Sequence, residues 1–322
     1  MGNENRTLML DSIEQIKIGG SKQWISIRAT SAFAPLMLFL HGGPGTAQIS
    51  FARKLQASLD TDFIVVNWDQ RGAGRSYSGD LRKSGLTLER MLSDSEEIIQ
   101  YLLHRFDKKK LILVGHSWGS ILGFEIVKRL PETVYAYIGI GQVINMVKGE
   151  EISYLYTLSE AKRRNNLKAL KQLTRIGHPP YRKVSDGGVQ RGWLGKFGGI
   201  TYDNSGIWSI FKYFSYRDSG VMNLLKFFQG IMFSLKKLEE EQMAINFEDF
   251  EWNSAIPCYL VCGRQDYNVP FELVEQWAIK NKDRNVELVW FDCSGHLANY
   301  EEPEKFNELC TRVNEQLLIT AT

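Results

Sequence analysis

The sequence predicts an α/β fold, with a mostly parallel central sheet, helices on both faces and a mainly helical insertion in the second half. Three observations carry that expectation. Short β-type runs alternate with longer helical patterns through the first part of the chain. The alternation is lost after about Ile144 and returns at Pro257. The 322 residues suffice for one large core and a smaller lobe. The expected organisation is therefore a first sheet-building part over 1–143, a helical lid or cap over 144–249, and a second sheet-building part over 250–322.

Taken in order, Trp24–Arg28, Leu36–Leu40, Phe63–Trp68, Leu111–Val114 and Tyr135–Ile140 read as strands, short and rich in apolar residues. Between them Ala47–Leu59 reads as a helix, as does Leu88–Phe106, where Met91, Leu92, Ile98, Ile99 and Leu102 mark one face. Trp118–Leu130 is a third helix, stopped by Pro131. After the insertion come a strand at Tyr259–Cys262, a helix at Phe271–Ile279, a strand at Val286–Phe291 and a helix at Glu304–Leu318. The insertion itself is helical over Glu150–Leu173, interrupted by a Gly/Pro stretch from Gly177 to Gly199, and helical again from Ile207 to Met243. Its aromatic residues include Trp208, Phe211, Tyr213 and Phe214. Most of them should form the core of the lobe, and a few should line the roof of a pocket.

Composition excludes several classes of protein. Hydrophobic residues at 43%, charged residues at 24% and a net charge of +2 describe an ordinary globular chain with no pull toward nucleic acid or an anionic membrane. Residues 144–248 carry 16 Lys/Arg against 10 Asp/Glu, read as a solvated, mildly basic helical surface. The start lacks the basic and apolar segments of a secretory leader, so a cytoplasmic location is expected. No apolar run is long enough to span a bilayer. Cys258, Cys262, Cys293 and Cys310 show no metal or redox spacing and read as reduced, packed thiols. No dinucleotide or metal motif appears, so no cofactor is expected.

The chemistry is carried by "GHSWGS" at 115–120. An apolar strand that ends in Gly115-x-Ser117-x-Gly119 and turns helical at once is the pattern of a nucleophile elbow. A serine hydroxyl near neutral pH needs a base to take its proton and an acid to orient that base. Such turns are followed in chain order by the acid and then the histidine. His296, in "CSGHLANYEEP", follows the last predicted strand and is the expected base. Asp266, in "VCGRQDYNVP", follows the strand before it and is the expected acid. Asp292, the competitor, reads as a loop cap, and His116 as a packed neighbour. Attack on a carbonyl makes an oxyanion, whose expected donors are the amide of Trp118 and an amide from "HGGPG" at 41–45, with Gly43 first and Gly42 in reserve. Gly42, Trp208, Phe211, Tyr213 and Phe214 are the candidate substrate contacts.

These motifs, together with "WDQRGAGRS" at 68–76, resemble the α/β-hydrolase superfamily over almost the whole chain. Within it they are similar to the proline iminopeptidase group of serine aminopeptidases. In the third motif Asp69, Arg71 and Arg75 are available to pair, and a role in bracing the oxyanion loop is expected. The resemblance implies release of an N-terminal residue, often proline, from a peptide. That chemistry needs a lid carboxylate for the free α-amino group. In proline iminopeptidases a stretch close to Glu-Asn-His-Tyr-Phe supplies it. Here no such stretch is present, and the nearest, "FKYFSYRDSG" at 211–220, offers only Asp218. The alternative is an esterase, lactonase or amidase acting on a small metabolite or natural product. An acyltransferase, and a binding protein that has lost the chemistry, are further readings. The expected partner is a small molecule or short peptide; the oligomeric state is left open.

Overall fold

The computed structural model describes residues 9–81, 85–203, 211–219 and 221–320. Eight strands form one sheet: β1 Leu10–Ile18, β2 Ser21–Ala29, β3 Leu36–Leu40, β4 Ile64–Asp69, β5 Leu111–His116, β6 Val134–Ile140, β7 Cys258–Gly263 and β8 Val286–Phe291. Their order across the sheet is β1-β2-β4-β3-β5-β6-β7-β8. The hairpin β1–β2 and the pair β2–β4 are antiparallel, and every other pairing is parallel.

The helices are α1 Ile49–Leu55, α2 Leu88–Arg105, α3 Trp118–Arg129, α4 Met146–Arg163, α5 Leu167–Ile176, α6 Val184–Lys196, α7 Tyr216–Ser219, α8 Val221–Met243, α9 Phe271–Lys280, α10 Ala298–Glu301 and α11 Pro303–Thr320. Period-two alternation divides the central strands between two apolar layers. Leu36, Leu38, Leu40, Leu111 and Leu113 face α2, α3 and α9 in one cluster. Met37, Phe39, Ile112 and Val114 face the other way, onto Phe306, Leu309 and Val313 of α11. Helices therefore cover both faces, and the predicted fold class stands.

Two expectations for the sheet-building parts of the chain need correction. No strand is expected before Trp24, yet β1 pairs with β2 along its whole length. It is an edge strand, half exposed and interrupted by charged residues, so its apolar signal is weak. The helix expected over 47–59 ends at Leu55. The next side chain, buried Gln56, exchanges two hydrogen bonds with Asn67 of β4, at 3.2 and 2.7 Å, and a short turn at Leu59–Thr61 follows.

Among the described residues five helices, α4 to α8, lie between β6 and β7, and α6 occupies the Gly/Pro stretch expected to interrupt them. The chain leaves and rejoins the sheet at one neck, where the Phe247 amide donates to the Ile144 carbonyl (2.7 Å) and the Met146 amide to that of Ile245 (3.1 Å). Among the described residues no helix is long and apolar enough to cross a membrane. All four cysteines are free, with Cys258, Cys262 and Cys310 buried. Cys293 is exposed, against expectation, because it sits on the loop beyond β8 and not within a strand.

Candidate active site

The strand order reverses around β3, whose neighbours are β4 and β5, and such a reversal opens a crevice at the carboxyl ends of the strands. The loop after β3 and the turn after β5 therefore lie side by side. A Cβ placed on Gly42 would stand 3.2 Å from the Cβ of Ser117.

Ser117 occupies the turn between β5 and α3 with φ 53° and ψ −118°, a conformation rare for a residue with a side chain. The surrounding packing holds it there. The Ser117 amide donates to the Ile140 carbonyl at 2.9 Å, and the Ser117 carbonyl accepts from the Ser120 amide at 2.8 Å and from Ser120 Oγ at 2.6 Å. Both glycines of the motif are required by close approach. A Cβ on Gly119 would come within 2.0 Å of the Leu40 carbonyl oxygen, and one on Gly115 within 2.7 Å of that of Gly119. Ser120 ties the elbow to the end of β6 by accepting from the Val143 amide at 3.0 Å; its presence in the quoted motif is the signal by which this role is legible.

His296 follows β8 and Asp266 follows β7. Nδ1 of His296 donates to Oδ2 of Asp266 at 2.9 Å, and both side chains are buried. The second oxygen of Asp266 accepts the amides of Asn268 (3.0 Å) and Val269 (2.8 Å), which fixes the carboxylate. Gly141, absent from the sequence reading, closes this site from β6. A Cβ there would lie 2.9 Å from the His296 ring and 3.1 Å from Asp266 Oδ2. His116 packs on His296 with ring centroids 5.0 Å apart and donates from Nε2 to the His296 carbonyl at 3.0 Å. Burial, reinforced by the nearby His296, pushes its pKa down to about 3, so it is a neutral, packed residue. Asp292 is exposed and pairs with Arg264 at 3.2 Å and Lys305 at 3.6 Å; this surface pairing replaces the expected loop cap.

The loop His41–Gly45 is braced from beneath. Gly43 has φ 122°, in the range that favours glycine. The buried His41 accepts the Gln70 amide at Nε2 (3.1 Å) and donates from Nδ1 to the Gly42 carbonyl (2.8 Å). Burial lowers its pKa to about 4, consistent with that neutral tautomer. Gln70 also donates to the His41 carbonyl and accepts from the Trp118 indole, both at 3.1 Å. The brace is thus Gln70, between the residues that the sequence reading singled out. Asp69 instead accepts the amides of Ile49 and Arg75 at 3.2 and 3.1 Å, Arg71 pairs with Asp94 at 2.6 Å, and Arg75 donates to the Asp218 carbonyl. Trp118 begins α3, where a backbone N–H has no partner within its own helix.

A cavity of about 1250 Å³ opens above Ser117 and His296 and is also lined by Gly42, Gly43 and Phe211. Tyr213 and Phe214 do not line it. They pack beside Phe51 and Tyr300 in a small aromatic cluster, with Tyr213 donating to the Tyr300 carbonyl at 3.2 Å. Trp208 lies outside the described residues. Asp218 is buried and accepts from Arg53 at 2.8 Å, so it is not presented to the cavity. The cavity carboxylates are Glu150, Glu239 and Glu240, from α4 and α8. Glu150 pairs with Arg191, whereas Glu239 and Glu240 have no ion-pair partner among the described residues. Both are exposed, as a solvated helix face should be, and what the stretch "LEEEQ" does not reveal is that they also line the cavity. Among the described residues no group of three or more metal-binding side chains comes together.

The alpha/beta hydrolase family matches residues 37–309. The chain belongs to that family. Among curated proteins, this hydrolase is 34% identical over 304 residues, 93% of its own length and 95% of the other's, to the probable aminopeptidase YbaC of Bacillus subtilis (strain 168). Among solved structures it resembles a proline iminopeptidase-related protein of Thermus thermophilus, with a TM-score of 0.67 at 17% identity over 96% of this chain and 99% of that one. The proline iminopeptidase of Mycobacterium smegmatis gives 0.67 at 16% identity over 97% and 100%. An esterase from Exiguobacterium antarcticum gives 0.61 at 17% over 94% and 98%. At those identities the structural likenesses speak for the shared fold.

Proposed function

We propose that this alpha/beta hydrolase is a serine aminopeptidase that releases an N-terminal residue through Ser117, His296 and Asp266, with residues 144–249 acting as its lid. His296 Nε2 takes the proton of the Ser117 hydroxyl as Oγ attacks the carbonyl of the first residue. The amides of Gly43 and Trp118 hold the resulting oxyanion; one such donor is typically worth about 100- to 1,000-fold in rate. His296 then gives its proton to the departing amine, leaving the first residue as an ester on Ser117. Water attacks that ester with His296 again as base, freeing the amino acid and restoring the serine. Asp266 accepts the hydrogen bond of the Nδ1–H throughout, without taking the proton, and stabilises the imidazolium that forms.

The observation that carries the peptidase reading is the pair of solvent-exposed carboxylates, Glu239 and Glu240, that line the cavity holding Ser117 and His296 and have no ion-pair partner among the described residues. Exposed carboxylates lining an open cavity attract a free α-ammonium, and a neutral ester gains nothing from them. The curated relative named as a probable aminopeptidase supports the same reading. The ester reading is favoured by a different observation, the apolar wall of Phe211, Phe227 and Phe228 in the same cavity.

The test compares wild type and Ser117→Ala on a proline arylamide with a free amine and on a short-chain aryl ester. Arylamide turnover abolished by the substitution is expected. Ester turnover with the arylamide untouched would overturn the peptidase reading in favour of the esterase.

A further inference from the structure

Glu301 lies in α10, five residues beyond His296. Its two carboxylate oxygens take different partners. Oε2 accepts the amide of Gly295 at 2.8 Å, and Oε1 accepts the amide of Tyr202 at 2.7 Å. Directly alongside, the amide of His296 donates to the carbonyl of Ile200 at 2.7 Å. The loop that carries His296 is therefore stitched by two adjacent rungs to the segment Gly199–Tyr202, by which the chain leaves α6. One rung uses a backbone carbonyl, and the other uses a side-chain carboxylate in place of one. Contact here is tight, since a Cβ on Gly295 would fall 2.4 Å from the Ile200 carbonyl oxygen. The same segment reaches the acid loop, where the Tyr267 amide donates to the Gly199 carbonyl at 3.0 Å. Glu302 secures the outer part of the histidine loop, accepting from the Cys293 amide at 3.0 Å and from Ser294 Oγ at 2.6 Å.

We propose that Glu301 is a positioning residue for His296, and that it makes the geometry of the histidine depend on the segment by which the chain leaves α6. The inference rests on the Ser117–His296–Asp266 reading above. A carboxylate suits the task because it offers an acceptor to each of two amides that converge on it from different parts of the chain. A carboxamide offers one acceptor and turns its NH₂ toward the other N–H, which breaks one rung. Either the Gly295 amide, one residue from the proposed base, or the Tyr202 amide that ties the loop to the segment beyond α6 then loses its partner.

The experiment measures the rate at which an aryl fluorophosphonate modifies Ser117, a readout that needs no knowledge of the natural substrate, together with kcat and KM for the proline arylamide and the melting temperature. Wild type is compared with Ser117→Ala, Glu301→Gln, Glu301→Asp and the exposed control Glu304→Gln. Glu301→Gln is expected to lower the modification rate and kcat by about 10- to 100-fold, the size of loss that small misplacements of a reacting group produce. KM should stay at its wild-type value and the melting temperature should fall by no more than a few degrees, the cost of one lost buried hydrogen bond, while every property of Glu304→Gln should stay unchanged. Glu301→Asp keeps the charge but is too short for both amides, and is expected to lose less than Glu301→Gln. Wild-type modification rates in both Glu301 variants, or a loss of rate that tracks a loss of folded protein, would overturn the inference while leaving the triad reading in place. Modification that survives Ser117→Ala would overturn the triad reading and this inference with it.

Discussion

Helices α4–α6 enclose a hydrophobic cluster of their own, built on Tyr154, Ala161, Ala169, Leu173, Trp193 and Phe197, whereas α8 lies directly on the loops of the sheet. Backbone meets backbone under α8. A Cβ on Gly230 would stand 2.5 Å from the Gly72 carbonyl oxygen, and one on Gly45 would stand 2.8 Å from that of Gly230. Further along, Glu241 accepts the amide of Leu88 at 2.6 Å, at the start of α2. One half of the roof is a small bundle that holds itself together, and the other half is an extension of the core resting on the proposed oxyanion loop. The difference teaches where a disturbance should be felt. In α4–α6 it should appear as local stability, and in α8 it should reach the chemistry.

The largest expected effect comes from Leu173→Ala. Leu173 is fully buried in the α4–α6 cluster, and truncating such a side chain costs about 2–5 kcal/mol. Hydrogen exchange should show that cost as faster exchange across α4, α5 and α6, with protection of β3 to β7 retained and kcat for a small aryl ester unchanged. Equal loss of protection throughout the sheet would show that the two halves are not energetically separate.

Gly230→Ala should be milder in stability and more severe in activity. The added methyl must displace α8 from Gly72, at a net cost of about 1–3 kcal/mol, part of which the better helix propensity of alanine offsets. Because Gly230 also contacts Gly45, the expected signature is a lower kcat with KM little changed. A variant of wild-type kcat would detach α8 from the oxyanion loop and break the comparison.

The smallest effect concerns the floor of the cavity and is read from pH. His41 and His116 titrate near about 4 and about 3 in the folded chain, chiefly because burial disfavours their charged forms. Unfolded, they take up protons near pH 6.5, roughly the ordinary histidine value. The unfolded state thus binds more protons below that pH, and stability falls on acidification. Asp69 acts in the opposite sense. Burial raises it to about 6, so the folded state takes up its proton first, and between roughly pH 6 and 4 it offsets one of the two histidines. The net slope is about one proton, or roughly 1.4 kcal/mol per pH unit. Urea unfolding from pH 7 to pH 4.5 should show a wild-type slope steeper by about one proton than that of His116→Asn.

What could be read from the sequence follows the same division. Gly115, Ser117 and Gly119 have a local steric meaning, as do the glycines after β3, so the floor was legible from spacing alone. The separation of Asp266 and His296 followed from the order of strands. The roof was not legible in this way. Asp218 sits in the stretch where a lid carboxylate was sought, yet tertiary packing commits it to Arg53. Glu239 and Glu240 sit in a charge-rich helix whose composition gives no hint of a cavity beneath it. In the docked helix Leu238 is the buried residue of that turn, while Glu239 and Glu240 stay exposed at the edge of the cavity. Tyr213 and Phe214 were indistinguishable from Phe211 by composition, and only tertiary packing separates a cavity wall from a packed cluster. Nothing beside Glu301 in the sequence marks it, and its meaning depends on Tyr202, 99 residues away.

Selection of a free amine by Glu239 and Glu240 can be read from a single ratio. It compares kcat/KM for a proline arylamide with kcat/KM for its N-acetyl derivative, in wild type and in the Glu239→Gln/Glu240→Gln double variant. Wild type should strongly prefer the free amine, the preference should collapse in the double variant, and turnover of a neutral aryl ester should be unchanged. Equal rates on the two arylamides in wild type, or a preference that survives loss of both carboxylates, would contradict that selection.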